Sequence, residues 1–145
     1  MKGSVRELFI REERARKQLI SPVLSANGLK PGQGQARILN TLLKEDRLSQ
    51  KELSDRCHMD TTTMSRNIDN LVKQGLLARE VNPGNRRSVI ICMTGKGRKI
   101  ALNICDMFLE FEHILRKDIP EEEIELFQRI LTKICENLED SLTQE

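Results

Sequence analysis

The sequence predicts a mainly α-helical chain that contains one small β-hairpin. Apolar residues recur with the 3.6-residue period of amphipathic helices along most of the 145 residues, and two short branched-aliphatic runs flank a turn sequence rich in Asn, Pro and Gly. A chain of this length is one domain's worth of sequence. We therefore expect one compact domain, built from several helices and a single hairpin.

Two helices are predicted before residue 45. The first runs from Val5 to Leu24 and the second from Gln35 to Lys44. Asn27-Gly28 and Pro31-Gly32 break the chain between them. Leu48 is expected to follow as a one-residue strand that joins the hairpin edge. The second helix should bury Ile38, Leu39, Leu42 and Leu43.

Two short helices joined by a tight turn are predicted next. Ser49 and Glu52 form an S-x-x-E capping box that marks the start of the first helix, and Asp60 can cap the second. Only Cys57-His58-Met59 separates the two. The second helix, Asp60 to Gln74, should bury Met64, Ile68, Leu71 and Val72. This arrangement is a helix-turn-helix.

The opposite face of this second helix carries short hydroxyl and basic side chains. At 100° per residue the outward positions are Thr62, Arg66, Asp69 and Lys73, with Thr63, Ser65 and Asn70 on the flanks. Small hydroxyl groups allow close approach to a DNA groove, and arginine can bind guanine through two hydrogen bonds. The alternative is that Thr61 to Thr63 merely favour the start of a helix.

A β-hairpin with a basic tip is predicted after Gly75, which can end the helix. Its strands are Leu76 to Val81 and Ser88 to Met93, and Asn82 to Arg87 form the loop. The loop arginines, Arg86 and Arg87, suit the negative potential of a DNA minor groove. A solvated turn with incidental charge is the alternative. Because a hairpin directly follows a helix-turn-helix, residues 31–99 are expected to form a winged helix-turn-helix.

Two long helices are predicted after the hairpin. Thr94 can cap a helix from Gly95 to Arg116, and Pro120 is expected at the first position of the last one. Near Thr94, Lys96, Arg98 and Lys99 either face DNA or form a solvated basic turn. The last helix should bury Ile124, Phe127, Ile130, Leu131, Ile134, Cys135 and Leu138.

The terminal helices carry more apolar surface than one small domain can cover. The least costly burial is against the same helices of a second copy, which gives a two-fold symmetric homodimer. Residues 1–30 and 100–145 are therefore predicted to form a helical dimerisation region. Such a dimer would bind a pseudo-palindromic site on double-stranded DNA.

Charge is divided unevenly along the chain. Residues 1–99 contain 20 Lys and Arg against 10 Asp and Glu, a net +10, whereas residues 100–145 contain 4 against 12, a net −8. The basic part would turn toward a polyanion. No apolar run approaches a membrane span or a secretory signal, so we expect a cytoplasmic protein with no membrane partner.

The four cysteines form no C-x-x-C pair, and buried, reduced, structural thiols are the expectation. Cys57 is the candidate for a redox switch, because it adjoins His58 in the helix-turn-helix turn. A metal site from Cys57, His58 and His113 is the less favoured alternative, since these residues lack metal-ligand spacing. We predict no metal, no cofactor and no catalytic residue.

Three segments, LSQKELSDRC, DTTTMSRNIDNLVKQGLLARE and NPGNRRSVIICMTGKGRK, carry a family resemblance in their order and spacing. Across about fifty residues the chain resembles the MarR family of winged helix-turn-helix regulators. The family wing usually carries Asp ahead of its paired arginines, and an upstream Asp, where this chain has Asn85 and Asn82. Asn can offer those arginines only a neutral hydrogen bond.

The resemblance implies a dimeric DNA-binding transcriptional regulator, most often a repressor, that a small-molecule effector can release. The chain has no Trp or Tyr and four Phe, so an aromatic effector pocket has few residues to draw on. The residues assigned to DNA are Ser49, Gln50, Thr61, Thr62, Thr63, Ser65, Arg66, Asn70, Lys73, Asn85, Arg86 and Arg87. The alternatives are a winged-helix protein-interaction module without DNA binding and a thiol-based redox-sensing regulator.

Overall fold

The computed structural model describes residues 3–32 and 34–143. Its helices are α1 (Val5–Ala26), α2 (Gln35–Lys44), α3 (Gln50–Arg56), α4 (Thr61–Lys73), α5 (Gly95–Arg116) and α6 (Glu121–Leu142). Its strands are β1 (Leu48–Ser49), β2 (Leu77–Asn82) and β3 (Asn85–Met93), which form an antiparallel sheet in the order β1-β3-β2. The mainly α fold with a small hairpin is confirmed.

The chain divides into two compact units, Met1–Phe108 and Leu109–Glu145. The predicted assignment of residues 1–30 and 100–145 to dimerisation and of 31–99 to DNA binding stays a prediction. Residues 1, 2, 33, 144 and 145, which those ranges include, lie outside the described residues.

The core of the first unit is built from the apolar faces that the periodicity predicts. Its fully buried side chains include Ile38, Leu39, Leu42, Leu53, Met64, Ile68, Leu71, Ile91 and Ile104, all 0% exposed. Burying one such side chain contributes roughly 1.5–3 kcal/mol. Leu43, predicted to be buried, is half-buried at the margin of this core. The core holds α2, α3, α4, β3 and the start of α5 together.

Several predicted boundaries are confirmed, and others differ. α2 and α5 have the predicted limits, and the Leu48 strand is present as β1, paired with Ile91. α1 continues past Pro22 to Ala26, two residues beyond the predicted end. Pro120 is the N-cap of α6 rather than its first helical residue, because its ψ of 147° is extended and its carbonyl accepts from Glu123 and Ile124.

Most of the apolar residues predicted to be buried on α6 are accessible in a single copy of the chain. Ile124 is buried, and Leu131 and Ile134 are half-buried. The prediction is wrong for the exposed residues of the set, which are Phe127, Ile130, Cys135 and Leu138. One face of α6 therefore lacks a covering surface in the single chain.

Within the described residues, none of the helices is long and apolar enough to cross a membrane.

Candidate nucleic-acid interface

The start of α3 is fixed by the predicted capping box. The Glu52 amide donates to Ser49 Oγ at 3.1 Å, and the Ser49 amide donates to Glu52 Oε1 at 3.1 Å. The backbone bond from Ser49 holds the pKa of Glu52 below its ordinary value. Ser49 and Gln50 are both half-buried, so these two predicted DNA contacts can present only part of their side chains.

The turn between α3 and α4 is held from two directions. His58 has a φ of 52°, in the left-handed region that reverses the chain direction. The Met59 amide donates to the Ser54 carbonyl at 3.0 Å. From α2, the Arg37 guanidinium donates to the carbonyl of Cys57 at 2.9 Å. The local pattern gave no signal for the Arg37 contact, because the two residues are twenty positions apart.

Asp60 caps α4, as predicted, and uses both carboxylate oxygens. The Thr63 amide donates to Oδ1 and the Thr63 hydroxyl donates to Oδ2, each at 2.8 Å. These bonds hold the pKa of Asp60 below its ordinary value. The capping interpretation therefore applies to Thr63, whose hydroxyl proton is engaged. Thr61 and Thr62 are exposed.

The two faces of α4 are arranged as the periodicity predicts, except that Val72, predicted to be buried, is half-buried. The exposed residues are Thr61, Thr62, Arg66, Asp69 and Lys73, and the half-buried ones include Thr63, Ser65 and Asn70. Asn67 was missed: it is 1% exposed, and its amide donates to Met59 Sδ at 3.5 Å. Its position between Met64 and Ile68 on the apolar face was an available signal. A buried amide thus links the helix to the preceding turn.

The acidic residue on the outer face of α4 has a basic partner. Asp69 forms an ion pair with Arg79 of β2, and both side chains are partly exposed. A surface pair of this kind contributes roughly 0–1 kcal/mol. Its electrostatic consequence matters more, because it neutralises the carboxylate that would oppose a phosphate backbone. Sequence reasoning placed Asp69 outward but did not find Arg79.

The base of the hairpin is bridged across the sheet. Arg47, which precedes β1, donates to Glu80 of β2 at 2.5 Å, and this guanidinium holds the pKa of Glu80 below its ordinary value. The Cys92 thiol of β3 lies 3.5 Å from both Glu80 Oε1 and the Ala78 carbonyl. The bridge joins groups at or beside all three strands, so it steadies the base from which the tip projects.

The hairpin tip is tighter than predicted. β3 already begins at Asn85, which pairs with Asn82, so Pro83-Gly84 alone form the turn. The prediction that Asn82 to Arg87 form the loop is therefore wrong, because Arg86 and Arg87 lie on β3. Asn85 pairs with Asn82, and Val89 pairs with Val81. Because Val81 and Asn82 are adjacent on β2, residues 86–88 of β3 have no partner between them and form a bulge. Bulges redirect side chains, and both arginines are exposed.

Comparisons with known proteins agree on one family. The family model described as MarR family matches residues 27–88. The S. aureus MepR–DNA complex is 25% identical, with a TM-score of 0.85, and the alignment covers 94% of this chain and 99% of that one. The crystal structure of MarR is also 25% identical, with a TM-score of 0.73 and coverage of 99% and 97%. The chain is therefore similar to MarR-family regulators in sequence and in fold.

A curated relative of this chain is an uncharacterized HTH-type transcriptional regulator of Bacillus subtilis (strain 168), YcgE. The two are 29% identical over 91 residues, which is 63% of this chain. The match spans 59% of the relative's own length. MarR-family regulators are not enzymes.

Two asparagines replace the acidic residues of the usual MarR-family wing, and the structure shows what they do. Asn82 Oδ1 accepts from the Gly84 amide at 3.0 Å, and Asn85 Oδ1 accepts from the Arg87 amide at 3.1 Å. Both side chains bond to backbone two residues ahead, which is the turn chemistry typical of Asn. They close the two-residue turn and extend the strands beyond the predicted ends.

The basic residues at the start of α5 do not share one environment. Thr94 caps the helix as predicted, since its Oγ1 accepts from the Gly97 amide at 3.0 Å. Lys96 Nζ donates to the carbonyl of Gln74, the C-cap of α4, at 3.2 Å. Arg98 and Lys99 are exposed. The two predicted alternatives for Lys96 were a DNA contact and a solvated turn. Neither included its hydrogen bond to the C-terminal carbonyl of α4.

All four cysteines are free thiols. Cys57 and Cys92 are buried, Cys105 is half-buried, and Cys135 is exposed, so the expectation of uniformly buried thiols is wrong for Cys135. Burial, followed by the Glu80 carboxylate, raises the pKa of the Cys92 thiol, which lowers its thiolate fraction. Across residues 3–32 and 34–143, no group of three His, Cys, Asp or Glu could hold a metal ion.

Proposed function

We propose that this protein is a homodimeric, sequence-specific DNA-binding transcriptional repressor. The observation that carries the proposal is the outer face of α4, which exposes Thr61, Thr62, Arg66 and Lys73 while Asp69 is paired with Arg79. In this arrangement α4 enters the major groove and the tip of the hairpin approaches the minor groove. The likeness to MepR, a relative whose structure is that of a DNA complex, supports this orientation.

The side chains of α4 divide the recognition chemistry. Arg66 lies one turn inside the helix, where its guanidinium can donate two hydrogen bonds to guanine O6 and N7. Thr61 and Thr62 are short and exposed at the N-terminus, where their hydroxyl groups suit phosphate. Lys73 is exposed at the other end of the helix and adds a positive charge along the same face.

The rival function, a winged-helix protein-interaction module, fits this face less well. A protein-docking face would be expected to expose apolar or acidic residues on α4. The large apolar residues of α4, Met64, Ile68 and Leu71, are instead 0% exposed. The net charge of +10 over residues 1–99 also favours a polyanion as the partner.

A second copy of the chain is the proposed occupant of the apolar surface on α6. Leu115, Ile119, Ile124, Phe127 and Leu131 line a groove of about 550 Å³ within the second unit. On α1, large apolar residues including Val5, Phe9 and Leu19 are 40–60% exposed, so this helix also offers an uncovered face. Lysine and arginine predominate on α1, and acidic residues predominate on α6. Opposite charges beside apolar faces favour contact between α1 of one copy and α6 of the other.

Two regulatory features of this repressor stay predictions: release by a small-molecule effector and a redox switch at Cys57. A small-molecule effector that releases DNA is expected from the family resemblance, and the groove described above is assigned to the second copy rather than to that effector. For a redox switch, Cys57 is 0% exposed and its sulfur lies 3.6 Å from Thr41 Oγ1, so an oxidant must first open the turn. A repressor acts on DNA, and we accordingly place it in the cytoplasm.

Selection of bound fragments from random duplexes with the full-length protein tests the proposal. We expect enrichment of an inverted repeat whose half-sites are centred about 10 base pairs apart, one turn of the duplex. Arg66→Ala should relax the preferred base at one position per half-site, at a cost of about 1–3 kcal/mol there. Failure to enrich any sequence would contradict sequence-specific binding, and a uniform loss across all sequences would assign Arg66 to phosphate.

A further inference from the structure

The C-terminal end of α4 is fastened to the first turn of α5. Thr94 Oγ1 lies 2.6 Å from the Gly75 carbonyl and 3.1 Å from the Leu76 carbonyl, and it can donate to either. The Thr94 amide also donates to the Leu76 carbonyl at 3.1 Å, and Lys96 Nζ donates to the Gln74 carbonyl at 3.2 Å. Residues 94 and 96 therefore bond to three consecutive carbonyls, 74 to 76.

A glycine lets the two segments approach this closely. Gly97 is buried, and a Cβ at its position would lie 2.0 Å from the Leu76 carbonyl oxygen. No side chain fits at such a distance, because the neighbouring atom belongs to the backbone and cannot rotate away. The first turn of α5 thus rests directly on the chain that leaves α4. We refer to Thr94, Lys96 and Gly97 as the α5 seat.

The bonded carbonyls belong to the end of α4 and the residues that leave it. The last carbonyls of a helix have no partner within the helix and usually bond to water or to a local cap. Here the ammonium of Lys96 satisfies one of them and complements the negative end of the helix dipole. Gly75, with a φ of 75°, turns the chain so that the next carbonyls point at Thr94. The exit of α4 therefore has a fixed position relative to α5.

We propose that Thr94 is a positioning residue for DNA binding, with Lys96 and Gly97 as its supports. This inference rests on the proposed function, because α4 is the helix assigned to the major groove. Thr94 touches no DNA in this proposal. Its hydroxyl holds the end of α4 in place while accepting a hydrogen bond from the Gly97 amide, and this fixes the angle at which Arg66 meets base edges. Lys96 is accordingly a cap for α4 rather than a phosphate contact.

The test compares Thr94→Val, which keeps the shape and removes the hydroxyl, with Thr94→Ser, which keeps the hydroxyl. Thr143→Val is the matched control, since its hydroxyl also donates to a helix carbonyl, that of Asp140 at 2.9 Å. We expect Thr94→Val to lower affinity for the selected site on the order of tenfold, the size of one net hydrogen bond, and to leave affinity for random duplex unchanged. Thr94→Ser and Thr143→Val should match the wild-type protein.

Two further measurements separate positioning from stability and from phosphate binding. In the DNA-free protein, Thr94→Val should speed amide hydrogen exchange at Leu76 and in the last turn of α4, with slow exchange retained in α2. Lys96→Met should leave the dependence of log K on log[salt] unchanged, because removing a phosphate-binding lysine would reduce that slope by about 0.9. Gly97→Ala should lower the affinity for the selected site more than Thr94→Val or Lys96→Met does, or it should prevent folding.

Different results overturn different claims. Equal loss of specific and random-duplex affinity in Thr94→Val, or unchanged exchange at Leu76, would overturn the positioning role. A reduced slope of log K against log[salt] in Lys96→Met would identify Lys96 as a phosphate contact. Lys96 would then no longer count as a support for Thr94. If the wild-type protein binds no duplex, the proposed function fails instead, and the exchange measurement still decides whether the α5 seat holds α4.

Discussion

The winged part, residues 31–99, and helix α6 use their apolar residues in different ways. In the first, Leu53, Ile68 and Ile91 are 0% exposed and share one core. In the second, Phe127 and Leu138 are 54% and 64% exposed. The winged part therefore completes its core within one copy, whereas α6 keeps large apolar side chains exposed in one copy. Surfaces for DNA and for a second copy should respond to different substitutions.

The largest effect is expected from removing residues 120–145. The truncated chain lacks α6 and the apolar groove, so the dimer should separate or unfold and tight DNA binding should be lost, although every proposed DNA-binding residue remains. Sedimentation and footprinting on the selected site measure both. Phe127→Glu in the full chain is the gentler variant, and it should yield folded monomer. A truncated monomer that protects a half-site tightly would overturn the dimer proposal.

A pair of alanine substitutions probes the difference between the closed core and the open face. Ile68→Ala removes a side chain from a closed core and should lower the free energy of unfolding by about 2–5 kcal/mol. Leu138→Ala removes one that is largely exposed in a single copy, and it should leave the unfolding of monomer at high dilution almost unchanged. Denaturant titration at two protein concentrations provides the measurement. Equal losses at high dilution would mean that α6 is already covered within one copy.

The winged part also shows how far the sequence alone could predict the structure. The starts of α3 and α4 follow from Ser49, Glu52 and Asp60, because a capping side chain bonds to backbone only three residues ahead. The exposed and buried faces of α4 follow from its period. Signals of this kind are local, and they predicted the helix-turn-helix and the long helix after Thr94 almost to the residue.

Contacts between distant segments were beyond the reach of the local pattern. Arg79 with Asp69 and Lys96 with the Gln74 carbonyl join residues that are neighbours only after folding. The wing was mispredicted for a different reason: Asn82 and Asn85 are typical of loops, but their side chains close a two-residue turn and let β3 begin earlier. Exposure on α6 was mispredicted because periodicity shows which face is apolar, not whether the same copy covers it.

The double variant Arg86→Ala and Arg87→Ala asks whether DNA binding can be weakened without touching the dimer. Both arginines are exposed in the bulge at the hairpin tip, so the fold and the dimer mass should be unchanged. Binding to all duplexes should weaken, and the slope of log K against log[salt] should fall by about 0.9 for each phosphate that the arginines no longer neutralise. Arg129→Ala on α6 is the control. An unchanged slope would count against DNA binding by the wing.

The smallest effect is a pH dependence that belongs to the winged part. The Thr63 amide and hydroxyl hold the pKa of Asp60 below its ordinary value of 3.8, so this carboxylate stabilises the fold above that value. Its contribution should be lost as the pH falls through the lowered pKa of the folded state, because the protonated group accepts the Thr63 bonds less well. Asp60→Asn keeps a capping side chain without the charge, and the acid-dependent part of its unfolding free energy should shrink while neutral-pH stability changes little. Glu52→Gln provides the parallel case, since the Ser49 backbone bond lowers the pKa of Glu52 in the same direction. Denaturant titrations at neutral and strongly acid pH give the difference for each variant. If both variants showed the same acid-dependent loss of stability as the wild-type protein, the groups responsible would lie outside the helix-turn-helix.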